Sequence, residues 1–163
     1  MRALVIGAVF AVLSAAPVLA ATAPLTPAPN LKDYASSAEV QALIENAKKT
    51  RTNQPNIIQP LLRLAPYAAN LEYRASVGPA AVHVHEAEMF YVIQGSGDLV
   101  TGGTLVNQTQ PNPDNLSGTA IASGSTRRIG AGDFVIVPEN TPHWFGAISQ
   151  APLVLMAIHV PRN

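Results

Sequence analysis

The chain has 163 residues, and ten Lys and Arg balance ten Asp and Glu. That length suits one compact domain with extensions, and the sparse, balanced charge offers neither a basic face for nucleic acid nor an acidic solvating tail. The absence of cysteine excludes a disulfide framework, a thiolate metal site and a cysteine nucleophile.

Residues 1–20 read MRALVIGAVFAVLSAAPVLA. One Arg precedes an apolar run, Pro17 breaks it, and Val18-Leu19-Ala20 offers a cut before Ala21. This is the pattern of a secretory signal peptide, and the run is short for a membrane span. The mature protein is expected in the periplasm of a bacterium, or secreted, with no stable span after cleavage. Residues 21–56 are expected to form an arm, Pro/Ala-rich at first and then carrying one helix. Ser36 followed by Glu39 is a capping-box signature. Val40, Leu43, Ile44 and Ala47 recur at helical spacing, which predicts a helix over about 37–49.

From Ile57 to the end the pattern changes to short β-like runs separated by Gly, Pro, Asn or Asp. The fourteen prolines and eleven glycines of the chain favour such strands over long helices. Residues 57–163 are therefore expected to be all-β, a sandwich or barrel. QTQPNPDNLSG (108–118) reads as a surface loop within it.

The stretch VHVHEAEMF (82–90) places four polar groups in an apolar run. Strand alternation points His83 and His85 to one face. If Glu86-Ala87 is a two-residue turn, His85 and Glu88 flank it and face each other. Two imidazoles and a carboxylate then converge, with Phe90 and Val92 as apolar walls. This donor set suits Zn, Mn, Fe, Ni, Co or Cu, and a cation offsets the cost of desolvating the glutamate. Taken alone, the His-x-His pair reads equally well as a solvated strand edge. The segment GAGDFVIVPENTPHWFGAI (130–148) supplies a further group, His143, just after a strand that Pro138 ends.

GPAAVHVHEAEMFYVIQGSG resembles the first motif of the cupin superfamily through Gly78, His83, His85, Glu88 and Gly95. GDFVIVPENTPH resembles the second through Gly132, Pro138 and His143, with Asn140 in place of an inner glycine, a position Asn tolerates because it accepts positive φ. The resemblance implies a jelly-roll-like β-barrel and a single divalent metal held by His83, His85, Glu88 and His143. It further implies an enzyme of the dioxygenase, oxidase, isomerase or lyase type acting on a small oxygen-bearing substrate, with Glu88 able to serve as a base and Phe90 shaping the substrate pocket. A non-catalytic cupin binding a carbohydrate or organic acid is the alternative. Barrels of this kind often pair through edge strands, so a homodimer is an expectation to test. His159 reads as a strand histidine and stands in reserve as a ligand. Tyr73 and Arg74 read as barrel packing or a solvated face.

Overall fold

The computed structural model describes residues 31–162, so the expected signal peptide lies outside the described residues. Among the described residues the order is one helix followed by eleven strands. Helix α1 (Ser37–Thr50) precedes β1 (Asn56–Leu64), β2 (Tyr67–Arg74), β3 (Ala80–His83) and β4 (Glu86–Thr101). Then come β5 (Thr104–Val106), β6 (Thr109–Asn112), β7 (Asn115–Gly118), β8 (Ala120–Ala122), β9 (Ser125–Gly130), β10 (Phe134–Val137) and β11 (His143–Pro161). No helix among the described residues is long and apolar enough to cross a membrane.

The helix starts where the capping signature predicts. Ser36 Oγ accepts the backbone N–H of Glu39 at 3.2 Å, satisfying one of the orphan donors of the first turn. The apolar stripe of α1 then seats Ile44 and Ala47 against Leu71 and Tyr73 of β2 and Val154 of β11. Burying one such large side chain is worth about 1.5–3 kcal/mol, which docks the helix on the outer face of the sheet.

All pairings are antiparallel, and β11 is the spine. It pairs β3 at its start, β4 along its length and β2 towards its end. The larger sheet runs β1-β2-β11-β3-β7-β6, with β4 joined also to β9 and β10, while β5 and β8 form a separate two-stranded sheet. Register shifts between Phe145 and Leu155 bend β11, and such bulges let one strand turn a barrel corner. Inside the barrel, Phe90, Val92, Leu99, Ile129, Val137, Phe145, Leu153, Leu155 and Ala157 form one apolar cluster. Gly95 has φ 83°, and a Cβ there would collide with the Pro152 carbonyl oxygen, so the position requires glycine on both counts.

Alternation sorts β2 into two environments. Leu71 and Tyr73 face the helix, whereas Asn70, Glu72 and Arg74 face the interior of the barrel mouth. The register pairs Asn56 and Ile58 of β1 with Arg74 and Glu72, which brings those two side chains to the same face.

Two local expectations need correction. Residues 108–118 are not a plain loop, because β6 and β7 form a small hairpin and β7 pairs with β3. Its turn is closed by Asn112 Oδ1, which accepts from the Asp114 N–H at 3.0 Å and from Asn115 Nδ2 at 2.8 Å. This is the local Asx chemistry that makes Asn a turn former. The second correction concerns Glu86-Ala87, which is not a turn. Both residues already lie in β4, and the chain bends one step earlier, at Val84-His85. The bend is fixed by backbone bonds from the Val84 N–H to the Asp114 carbonyl and from the Arg162 N–H to the His85 carbonyl, each 2.9 Å.

Candidate metal centre

Glu88 lies at the centre of the cluster. It is 4% exposed and projects from β4 to the same side as Phe90 and Val92, as alternation requires. His83, the last residue of β3, places Nε2 3.2 Å from Glu88 Oε2. His143, the first residue of β11, places Nε2 3.0 Å from the same oxygen. His159, near the other end of β11, is paired with Glu88 in register and brings its Nε2 to 3.5 Å from Oε1. The His83 ring lies between the other two, with centroids 5.3 Å from His143 and 5.0 Å from His159.

Of the residues expected from sequence, the fold therefore gathers His83, Glu88 and His143. It does not bring His85 to them. Because β3 ends at His83, the bend interrupts alternation, and the His85 side chain is exposed. His159 stands in its place. Phe90 is 1% exposed in the barrel core, with its ring 6.0 Å from His143 and edge-on to Phe145 at 5.2 Å. It supports the His143 ring from below rather than lining the open cavity.

Each imidazole is tied at its far nitrogen. His83 Nδ1 donates to Asn115 Oδ1 at 2.6 Å, and Asn115 is itself oriented by Asn112. His143 Nδ1 donates to the Thr141 carbonyl at 3.1 Å. His159 Nδ1 donates to Glu86 Oε2 at 3.0 Å. A neutral imidazole that donates from Nδ1 presents a lone pair at Nε2. Three Nε2 lone pairs then face one buried carboxylate, acceptor against acceptor. That arrangement requires a cation between them, either protons or a metal ion.

The spacing fits one metal ion. Donors sharing an ion at about 2.1 Å, at angles between square and tetrahedral, lie roughly 3.0–3.4 Å apart. The observed Glu88–His separations run from 3.0 to 3.5 Å. Donor atoms of His83, Glu88 and His159 all lie within 4.8 Å of one another; His143 stands outside that group, with its Nε2 3.0 Å from Glu88 Oε2. The tied Nδ1 atoms match the outer partners that orient metal-binding histidines.

The electrostatics are consistent with this. Burial opposes ionisation of Glu88, but hydrogen bonds from His143 and His83, with their charge, outweigh it and hold the carboxyl well below its usual range. Burial likewise opposes protonation of His83, and the bond and charge of Glu88, helped by Asn115, outweigh it and raise the imidazole. The cluster opens into a cavity of about 370 Å³ that Asn70, Glu72 and Arg74 of β2 also line.

His159 was the residue hardest to place from sequence. Its only signal was a histidine on an apolar strand, and the partner that gives it meaning is Glu88 across the β4–β11 ladder. Asn115 carried no signal at all, being polar in a polar segment.

An antiparallel β-barrel thus carries three histidines and a glutamate together at its mouth. The chain belongs to the cupin family, whose family model matches residues 41–161. No curated protein matches the sequence. Among solved structures, an uncharacterized conserved protein with a double-stranded β-helix domain from Klebsiella pneumoniae subsp. pneumoniae is similar at 16% identity and TM-score 0.52, covering 76% of this chain and 88% of that one. A Bacillus halodurans protein is similar at 14% identity and TM-score 0.51, covering 81% of this chain and 83% of that one. Likeness at this level of identity concerns the fold.

Proposed function

We propose that the protein is an exported cupin that holds one divalent transition metal through the Nε2 atoms of His83, His143 and His159 and the carboxylate of Glu88, and that it acts as an enzyme on a small oxygen-bearing organic substrate. The observation that carries the reading is the set of three imidazoles, each tied outward at Nδ1, whose Nε2 atoms converge on one buried carboxylate. When bound, the metal would polarise a substrate oxygen as a Lewis acid.

The chain's own residues do the rest. Asn115, the Thr141 carbonyl and Glu86 hold the rings in one tautomer, so little reorganisation is needed on binding. Glu88 is kept ionised and lines the cavity, so its carboxylate meets a metal ion without first losing a proton. The apolar floor formed by Phe90, Phe145 and their neighbours keeps bulk water from reaching the cluster through the barrel, leaving the cavity mouth as the route of entry.

Export decides which metal is met. A chain that folds outside the cytoplasm takes its metal there, where zinc and copper compete strongly by intrinsic affinity. Metal content of protein purified from its native periplasm tests the site. About one ion per chain is expected for wild type, with loss in Glu88→Ala and His83→Ala. Equal metal in Glu88→Ala and wild type would refute the four-residue set. An intact N-terminus in the purified protein, instead of one starting at Ala21, would refute export with cleavage. Turnover on a panel of enols, sugars and carboxylic acids separates an enzyme from a ligand-binding cupin, which would bind without converting.

A further inference from the structure

Strand β2, which pairs with β11 beside His159, brings to the cavity of the metal cluster a second charged feature, which the metal site does not use. Glu72 is 4% exposed, and Arg74 is only 14% exposed at its side chain. Arg74 Nε donates to Glu72 Oε2 at 2.8 Å, and Nη2 lies 2.6 Å from the same oxygen. The guanidinium also lies over the Phe145 ring, 4.3 Å from its centroid. A buried ion pair is costly and seldom retained for stability, since well-packed apolar residues do as well. Here it sits at the edge of the apolar barrel core, against Phe145.

The pair is also unbalanced. Guanidinium has five N–H donors, and among the described residues only Glu72 engages it, through one oxygen. Nη1 has no acceptor among those residues, yet Arg74 lines the same cavity as His83, Glu88, His143 and His159. Glu72 and Phe145 clamp the group so that its free edge is preorganised. Arginine in such a setting matches a carboxylate in both shape and charge.

Glu72 offsets the charge of Arg74, and Glu88 together with Glu86, which holds His159, would offset a divalent ion. Arg74 and the four residues of the cluster line one cavity of about 370 Å³, so a single small ligand can engage both.

We infer that Arg74 is the substrate-anchoring residue of the cavity, and that the substrate class is a small organic monocarboxylate whose second oxygen function reaches the metal cluster. Glu72 is the positioning residue for Arg74. This rests on the metal reading given above and adds to it the identity of the ligand's far end.

The test is calorimetric titration of zinc-loaded protein, after measuring zinc stoichiometry, with lactate against lactamide and pyruvate against pyruvamide. Wild type is expected to prefer each acid by about tenfold or more, the value of one charged hydrogen bond. In Arg74→Gln most of that preference disappears while zinc content stays near wild type, and the melting temperature falls because Glu72 loses its buried partner. Arg74→Lys restores part of it, because the charge returns without the planar fork. Where Arg74→Gln does not fold, Arg74→Lys carries the test, and a ratio several-fold below wild type is expected. A wild-type ratio in the folded variant overturns the proposal alone, and so does equal binding of acid and amide by zinc-loaded wild type. A wild-type protein that takes up no zinc overturns this proposal and the metal reading together.

Discussion

His159 and Glu88 face each other across the β4–β11 ladder, with Nε2 and Oε1 3.5 Å apart, while His85, only three positions before Glu88, is turned to solvent. Nearness in space here is decided by strand register, not by nearness in sequence. The two histidines therefore respond differently to truncation. His159→Ala is expected to weaken zinc binding by more than the roughly 10–100-fold that loss of an outer partner costs. His85→Ala is expected to stay within about twofold of wild type, as exposed substitutions usually do. Zinc competition against a chromogenic chelator reads both, and an equal loss in the two variants would sink the assignment of His159.

The pH dependence of stability is expected to change sign with metal. In chelator-treated protein, His83 is raised above its ordinary 6.5: burial alone would lower it, and the hydrogen bond and charge of Glu88 outweigh that. A raised histidine adds stability that is full below its unfolded value and lost as pH climbs through the folded one. Glu88 is depressed below its ordinary 4.5, so its contribution is present above that value and is lost only at strongly acid pH. The two overlap between 4.5 and 6.5. Metal-free protein should thus melt higher at about pH 5.5 than at about pH 8. Zinc requires deprotonated imidazoles, so its stabilising effect should grow over the same range. Thermal melts with chelator and with zinc at both pH values check this, and a chelated protein that melts higher at pH 8 would contradict it.

The barrel was legible from sequence because strands announce themselves locally. Gly, Pro, Asn and Asp mark the turns, and Glu88, Phe90 and Val92 fall on one face by simple alternation. The helix was legible because Ser36 and Glu39 form a local signature and its apolar spacing is periodic. The second motif was readable to the level of backbone conformation, since Asn140, where glycine was expected, does adopt positive φ, at 53°. The site was legible only in part. Alternation holds only while a strand continues, and β3 stops at His83, so extrapolating one more step put His85 on the wrong side of a bend. His159 and Asn115 depend on which strands become neighbours, and Arg74 on which face of β2 turns inward beneath a helix. Those are products of topology, to which local patterns are blind.

Leu155 tests how far the site depends on the core beneath it. It is fully buried in the barrel cluster, two residues along β11 from Ala157 and four from His159. Leu155→Ala is expected to cost about 2–5 kcal/mol of stability from lost transfer energy and the cavity left behind. Denaturant unfolding measures the loss. Zinc affinity of the folded fraction should fall only modestly, because His159 is oriented by Glu86 rather than by Leu155. A collapse of affinity equal to that of His159→Ala would mean that core packing, not the Nδ1 tie, aims the ring.

Asn115 offers the sharpest separation of orienting from ligating roles. Its Oδ1 holds His83 Nδ1 at 2.6 Å, and it touches the cluster only through that ring. Asn115→Ala removes the acceptor, frees the His83 tautomer and lets Nε2 carry the proton half of the time or more. The metal then competes with a proton for the Nε2 lone pair. Zinc affinity should drop by roughly 10–100-fold, with stoichiometry at saturation unchanged at one ion per chain. Asn115→Asp should recover much of the affinity, since a carboxylate also accepts from Nδ1–H and raises the basicity of the ring. Nitrogen-15 shifts of His83 report the tautomer directly. Alanine should move the Nε2 signal towards the protonated form in chelated protein at about pH 8, above the ordinary range of imidazole, and aspartate should keep it at the lone-pair value. An alanine variant with wild-type affinity and an unmoved Nε2 signal would show that the His83–Asn115 bond positions nothing.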